Sequence, residues 1–134
     1  MSYYKYFNPN PKGLEMGDCV IRSLCAATKL TWYEVFDKLT EFARNNCVVL
    51  NEGHSKIVES RMKYFGFIRN KIGKPTKGSR SYTVADFCKD HSEGKYILNL
   101  QHHMIAVING EYYDIYPCWD NSKVYCYYEL MPDL

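Results

Sequence analysis

The sequence predicts an α+β domain in which N-terminal helices pack on a C-terminal antiparallel sheet. Apolar residues recur at helical spacing through the first half of the chain. Beyond Gly94 the character changes: "KYILNL", "HMIAVI", "EYYDIY" and "KVYCYYEL" are β-branched and aromatic, with turn residues between them. Helices first and strands second is the α+β order. The 134 residues suit a single domain, 1–134. A chain of this length can bury a core without disulfide or metal staples.

Residues 1–17 read as an extended, turn-rich arm, because the prolines in "NPNPKG" bias their predecessors away from helix. A first helix spans Cys19 to about Thr28, with Val20, Leu24 and Ala27 as its apolar stripe and Ile21 and Cys25 widening it. Thr31 and Glu34 form a capping box that opens a second helix to about Asn45. Its buried face is Val35, Leu39, Phe42 and Ala43. A third helix covers Ser55 to Tyr64 and stops at Gly66. Residues 66–81 read as a loop or irregular hairpin. Thr83 starts a short fourth helix to about Asp90. The strands follow, broken at Gly94, Asn109-Gly110 and Asp120-Asn121.

Composition excludes some functions and leaves others. With 46% apolar and 16% aromatic residues the chain is too rich in core-forming side chains for disorder. A net charge of +2 means that the whole-molecule field says little about partners. "MSYYKYFNPNPKG" lacks the apolar core of a leader peptide, and no run is long enough to cross a bilayer. The expected location is therefore the cytoplasm, with no membrane partner. A reducing compartment makes the six cysteines (Cys19, Cys25, Cys47, Cys88, Cys118, Cys126) free thiols. No C-x-x-C spacing occurs, so neither a metal nor another cofactor is expected.

Two local patterns carry chemistry. Asn109-Gly110 between apolar runs is the strongest short hairpin signal. With those residues as the turn, Ile108 faces Glu111, Val107 faces Tyr112 and Ala106 faces Tyr113. Side chains alternate, so His103 and Asp114 become diagonal neighbours on one face, about 7–8 Å apart by backbone. A carboxylate there fixes the imidazole tautomer and stabilises its charged form. The competing reading is a polar pair at the wet end of a hairpin. Asp120 is the alternative partner if the register slips.

The second pattern is "GDCVIRSLCAATKL". The other five cysteines sit within apolar or aromatic stretches, but Cys19 follows Gly-Asp at a helix start. There the macrodipole and the unpaired N–H groups favour a thiolate, and the same N–H groups can hold a developing oxyanion. A buried structural thiol is the competing reading. Arg22 can bridge Asp18 one turn away.

Cys19, His103 and Asp114, in that chain order, resemble the papain-like cysteine peptidases. More narrowly, "FNPNPKGLEMGDCVIRSLCAAT", "TWYEVFDKL" and "HMIAVINGEYYDIYPCWD" are similar to a group of small papain-like proteins from bacteria and their phages. The likeness covers most of the chain and is loosest between about Val48 and Lys77. It implies a papain-like fold with Cys19 as nucleophile, His103 as general base and Asp114 as orienting residue. If the chain is phage-encoded, its location is the host cytoplasm. Papain-like peptidases usually carry an oxyanion-donating glutamine about six residues before the cysteine. Gly13 stands there, and the one glutamine is Gln101. Asn8 or Asn10, or the Cys19 backbone, would then supply the donor.

Residues 61–80 carry seven basic side chains and no acidic one: Arg61, Lys63, Arg69, Lys71, Lys74, Lys77 and Arg80. Tyr64, Phe65 and Phe67 interleave with them, a pattern that suits a nucleic-acid backbone. A solvated loop is the more usual meaning of such a run, and a grip on an acidic protein lies between the two. Trp119 and Asp120 are placed to border the site, and His54 and His91 read as isolated and exposed.

Two functions follow. The first is a cysteine-dependent acyl-transfer enzyme, a peptidase or isopeptidase working through a thioester on a polypeptide substrate. Transglutamination and deamidation would use the same three residues. The second is a papain-like scaffold that binds and inhibits a host protein or nucleic-acid machine.

Overall fold

The computed structural model describes residues 3–73 and 80–132. It is an α+β structure of four helices and one open six-stranded sheet. In chain order the elements are β1 (Tyr4–Tyr6), α1 (Cys19–Thr28), α2 (Trp32–Asn46), α3 (Ser55–Tyr64), β2 (Phe67–Lys71), α4 (Val84–Asp90), β3 (Lys95–Leu100), β4 (His103–Ile108), β5 (Glu111–Asp114) and β6 (Cys126–Leu130). Sheet order is β1-β5-β4-β3-β6-β2. No helix among the described residues is long and apolar enough to cross a membrane.

Local chemistry explains the helix boundaries. Thr31 Oγ1 accepts from the Glu34 N–H at 3.1 Å, and Glu34 Oε1 accepts from the Thr31 N–H at 3.0 Å, closing the capping box of α2. Thr83 and Asp86 repeat the device at α4. Helix α3 ends where Gly66, at φ +91°, turns the chain into β2.

The sheet is covered on both faces. On one, Ile97, Met104, Ala106, Cys126 and Tyr128 meet Leu24 and Ala27 of α1, Val35 and Leu39 of α2, and Met62 of α3. On the other, Leu98, Leu100, Ile105, Val107 and Tyr112 meet Val84 and Phe87 of α4. Strand β4 is therefore buried from Met104 to Val107 without alternation. Helix α1 packs against β3, β4 and β5 and is buried from Arg22 to Ala27.

Three sequence expectations need correction. The sheet is not wholly antiparallel or C-terminal. Tyr4–Tyr6 of the arm adds to β5 in parallel, with Tyr4 opposite Tyr112 and Tyr6 opposite Asp114. Phe67–Lys71, expected in a loop or irregular hairpin, pairs antiparallel with the distant β6. Both are edge strands whose order comes from a distant partner, which local patterning does not report. Finally, His91 is not exposed: its ring stacks on Phe87 with centroids 3.7 Å apart, and Nδ1 lies 3.0 Å from the Phe87 carbonyl.

The β4–β5 hairpin has the register expected from its turn: Ile108 pairs with Glu111, Val107 with Tyr112 and Ala106 with Tyr113. Asn109 and Gly110 both have positive φ, 49° and 79°, as a type I′ turn requires. A Cβ at Gly110 would stand 3.1 Å from the Cys88 carbonyl oxygen. Gly110→Ala should therefore lower unfolding stability by about 1–2 kcal/mol, from left-handed backbone strain alone, with more from the Cys88 contact. Urea titration of the two proteins checks this. An unchanged midpoint would mean the turn is not held as described.

Candidate active site

Asp114 ends β5 and is fully buried. One of its oxygens, Oδ1, accepts from Arg22 Nε at 2.7 Å. The other, Oδ2, accepts from Trp119 Nε1 at 2.6 Å and lies 2.9 Å from His103 Nε2. The Ile115 backbone N–H adds a further bond. Burial pushes the Asp114 carboxyl up, but these bonds, with the charges of His103 and Arg22, more than offset it and hold the carboxyl below its ordinary value.

Strand pairing places Asp114. Tyr6 lies opposite it in β1, and the Phe7 N–H donates to its carbonyl at 3.0 Å. The extended arm thus clamps the strand that carries the carboxylate. The hairpin turn places His103 across from it. The Trp119 indole stacks on the His103 ring, 4.1 Å between centroids and 15° between planes. Imidazole orientation is fixed by the Asp114 bond and by this stack together.

Cys19 is the first residue of α1 and is half-buried. The His103 side chain and the Met104 backbone N–H lie close enough to its sulfur to favour the thiolate. His103 Nε2 faces Asp114, so Nδ1 is the nitrogen left for the sulfur. Burial alone would raise the Cys19 thiol. The bonds from His103 and Met104, with the nearby His103 and Arg22 charges, outweigh it, and the thiol sits below its ordinary value. Burial likewise disfavours His103 in its charged form, yet Asp114 and Cys19 lift its pKa to about 9. The arrangement therefore favours a thiolate–imidazolium pair, bounded below by the lowered thiol pKa and above by about pH 9. Buried Cys25 and Cys88 contrast with this, since burial pushes both thiols up to about 12.

The N-cap of α1 is unusual in a useful way. Asp18 makes no side-chain capping bond. Its carboxylate instead accepts from Arg22 Nη1 at 2.8 Å and Trp32 Nε1 at 3.0 Å. Asp18 then does not compete for the N–H groups of the first turn, the turn that Cys19 opens. They are the donors available to an oxyanion at that position. Asn8 and Asn10 stand differently from the sequence expectation. Asn8 Nδ2 donates to the Leu14 carbonyl and its Oδ1 accepts from the Asn10 N–H, while Asn10 Oδ1 accepts from the N–H groups of Lys12 and Leu14. Their bonds shape the arm.

Asp120 accepts from the Tyr112 hydroxyl rather than from His103. The basic run 61–80 is divided among different environments: Lys63, Arg69 and Lys71 are exposed, whereas Arg61 and Arg80 stand apart from them. Arg61 is buried, Arg69 is exposed in β2, and Arg80 forms a bidentate pair with Asp86 at 2.6 and 2.9 Å. Lys74 and Lys77 lie outside the described residues. His54 is exposed and caps α3, its Nδ1 accepting from the Lys56 N–H.

Sequence reasoning paired Arg22 with Asp18 but missed its bond to Asp114, and it missed Trp32. A mostly apolar helical stretch with a single charge, the arginine of "CVIRSLCAA", is the available signal, because such a charge needs a buried counter-charge.

A cleft of about 660 Å³ is lined by Cys19, His102 and His103, by residues of α2 and α3, and by the 50–53 loop. No family model, curated protein or solved structure matches the chain.

Arg22 and its two carboxylates form a buried charge cluster, where loss of one partner is worth about 3–5 kcal/mol. Arg22→Met should destabilise the protein by that order. Asp114→Asn combined with it should be less harmful than the sum of the two single changes, because the more deeply buried of the two carboxylates no longer carries an uncompensated charge and only Asp18 keeps one. Chemical denaturation of the four proteins in the cycle measures this. Strict additivity would contradict the cluster.

Proposed function

We propose that this protein is a cysteine-dependent acyl-transfer enzyme of papain-like fold, acting on a polypeptide as a peptidase or isopeptidase. The observation that carries the reading is the chain of contacts Cys19–His103–Asp114, with the sulfur at a helix N-terminus and beside an open cleft. A nucleophile, a base within hydrogen-bond reach and a third group orienting that base is the arrangement covalent catalysis requires.

In this mechanism the Cys19 thiolate attacks a carbonyl carbon in the cleft. The oxyanion that forms is met by the N–H groups at the start of α1. Collapse breaks the C–N bond, and the departing amine takes its proton from the His103 imidazolium. Water then attacks the thioester, His103 accepts a proton from it, and the carboxylic acid and thiolate are regenerated. Asp114 keeps the imidazole in one tautomer and stabilises its charged form throughout. An amine replacing water gives transamidation through the same residues, and a glutamine side-chain amide as the attacked group gives deamidation.

Iodoacetamide labelling at about pH 6.5, roughly two units below an ordinary thiol pKa, separates this reading from a binding scaffold. Cys19 should label at least tenfold faster than the exposed Cys47 and Cys118, and His103→Ala should slow it tenfold or more. A mixed peptide library incubated with the protein should then show new termini, or transferred amines, that are absent with Cys19→Ala. Six uniformly slow thiols would contradict the enzyme and leave the scaffold that binds a host protein.

A further inference from the structure

The cleft beside Cys19 holds a second charged group that the acyl-transfer chemistry does not use. Arg61 lies on α3 and is 5% exposed. Its Nη2 is buried without a hydrogen-bond partner, and Arg61 makes no ion pair among the described residues. Its guanidinium stands over the Phe42 ring, 5.9 Å from the centroid, and the side chain lines the same cleft as Cys19 and His103. The contrast with Arg22 is plain. That equally buried cation has two carboxylates at 2.7 and 2.8 Å. A buried charge with no counter-ion is costly to keep, and a guanidinium fork is shaped for a carboxylate.

The surroundings say what the missing partner looks like. Apolar side chains of α2 and α3, among them Phe36, Leu39 and Met62, line the cleft. Arg69 and His102 add to its polar lining. Two acids line the cleft, Asp18 and Glu52; Asp18 is held by Arg22 and Trp32, and Glu52 acts on Arg61 by its charge without forming an ion pair. The Glu52 Oε2 accepts from the His54 N–H at 3.2 Å.

We propose that Arg61 is a specificity residue that receives an acidic side chain of the polypeptide substrate, in the cleft where Cys19 attacks the acyl group. This rests on the acyl-transfer reading for the identity of the ligand as a peptide. The unpartnered guanidinium stands independently of it. A carboxylate entering the cleft supplies the counter-charge that Arg61 lacks, while neighbouring apolar residues of the substrate cover the α2 and α3 side chains. Glu52 is an internal competitor for the same cation.

The test uses the full chain carrying Cys19→Ala, so that no turnover occurs. The probes are hexaalanine peptides capped at both ends, with one glutamate at each position in turn, and the matching glutamine set. Calorimetric titration at low salt should find one glutamate position that binds at least tenfold more tightly than its glutamine counterpart. Arg61→Gln should abolish that preference, and Glu52→Gln should strengthen it. Arg61 is buried, so a second readout avoids altering it: the Arg61 Nε–H resonance should move on saturation with the preferred peptide. Equal binding of both sets, a preference that survives Arg61→Gln, or a stationary Arg61 signal would overturn the proposal. So would binding of inorganic phosphate at Arg61 with no glutamate peptide bound. An unreactive Cys19 with the preference intact refutes the acyl-transfer chemistry alone, and a reactive Cys19 without the preference refutes the Arg61 site alone.

Discussion

The buried carboxylate of Asp114 is the constraint on which the rest of the site depends. Four donors converge on its two oxygens: a guanidinium from α1, an imidazole from β4, an indole from the segment after β5, and a backbone N–H. The three side chains come from different parts of the chain, and the N–H belongs to the next residue, Ile115. An isolated buried carboxylate is among the most expensive groups to place in a protein. The fold can hold this one only if all of those segments arrive together. The carboxylate is thus a registration point for α1 and the β4–β5 hairpin, and the relative position of Cys19 and His103 follows from it.

The same constraint sets the electrostatics. Arg22 neutralises Asp114 on one side and Asp18 on the other, while its charge also favours the thiolate. Asp18 gives up its capping role to hold Arg22 and Trp32. That leaves the first N–H groups of α1 to act on whatever stands beside the sulfur. Structural support and chemical poise are therefore not separable here. Substitutions at Trp119 act on the sulfur through Asp114 and His103, and those at Arg22 act both by that route and directly through its charge.

Much of this was legible in the sequence, for identifiable reasons. The boundaries of α1, α2 and α3 come from caps and breaks a few residues away, and the Asn109-Gly110 turn dictates a register that brings His103 to Asp114. What was not legible depends on distant partners. Tyr4–Tyr6 and Phe67–Lys71 are short edge strands without a clear alternation, ordered by β5 and β6. Strands β5 and β6 are shorter than their apolar runs suggested, because the chain leaves the sheet at Asp114 and rejoins it only at Cys126. Trp119 was placed near the site, but its bond to Asp114 and its stack on His103 had no sequence signal. Arg61 read as one charge in a basic run. Only its burial shows it to be a cation without a partner.

The central claim is that the sulfur of Cys19 and the ring of His103 share a charge pair held by Asp114. The most direct measurement is an NMR titration of the His103 ring carbons in the native chain and in the Cys19→Ala protein. The account predicts that His103 titrates near pH 9 in the native chain and clearly lower once the thiolate is gone. A ring that titrates at the ordinary histidine value of about 6.5, and does so identically in both proteins, would contradict it.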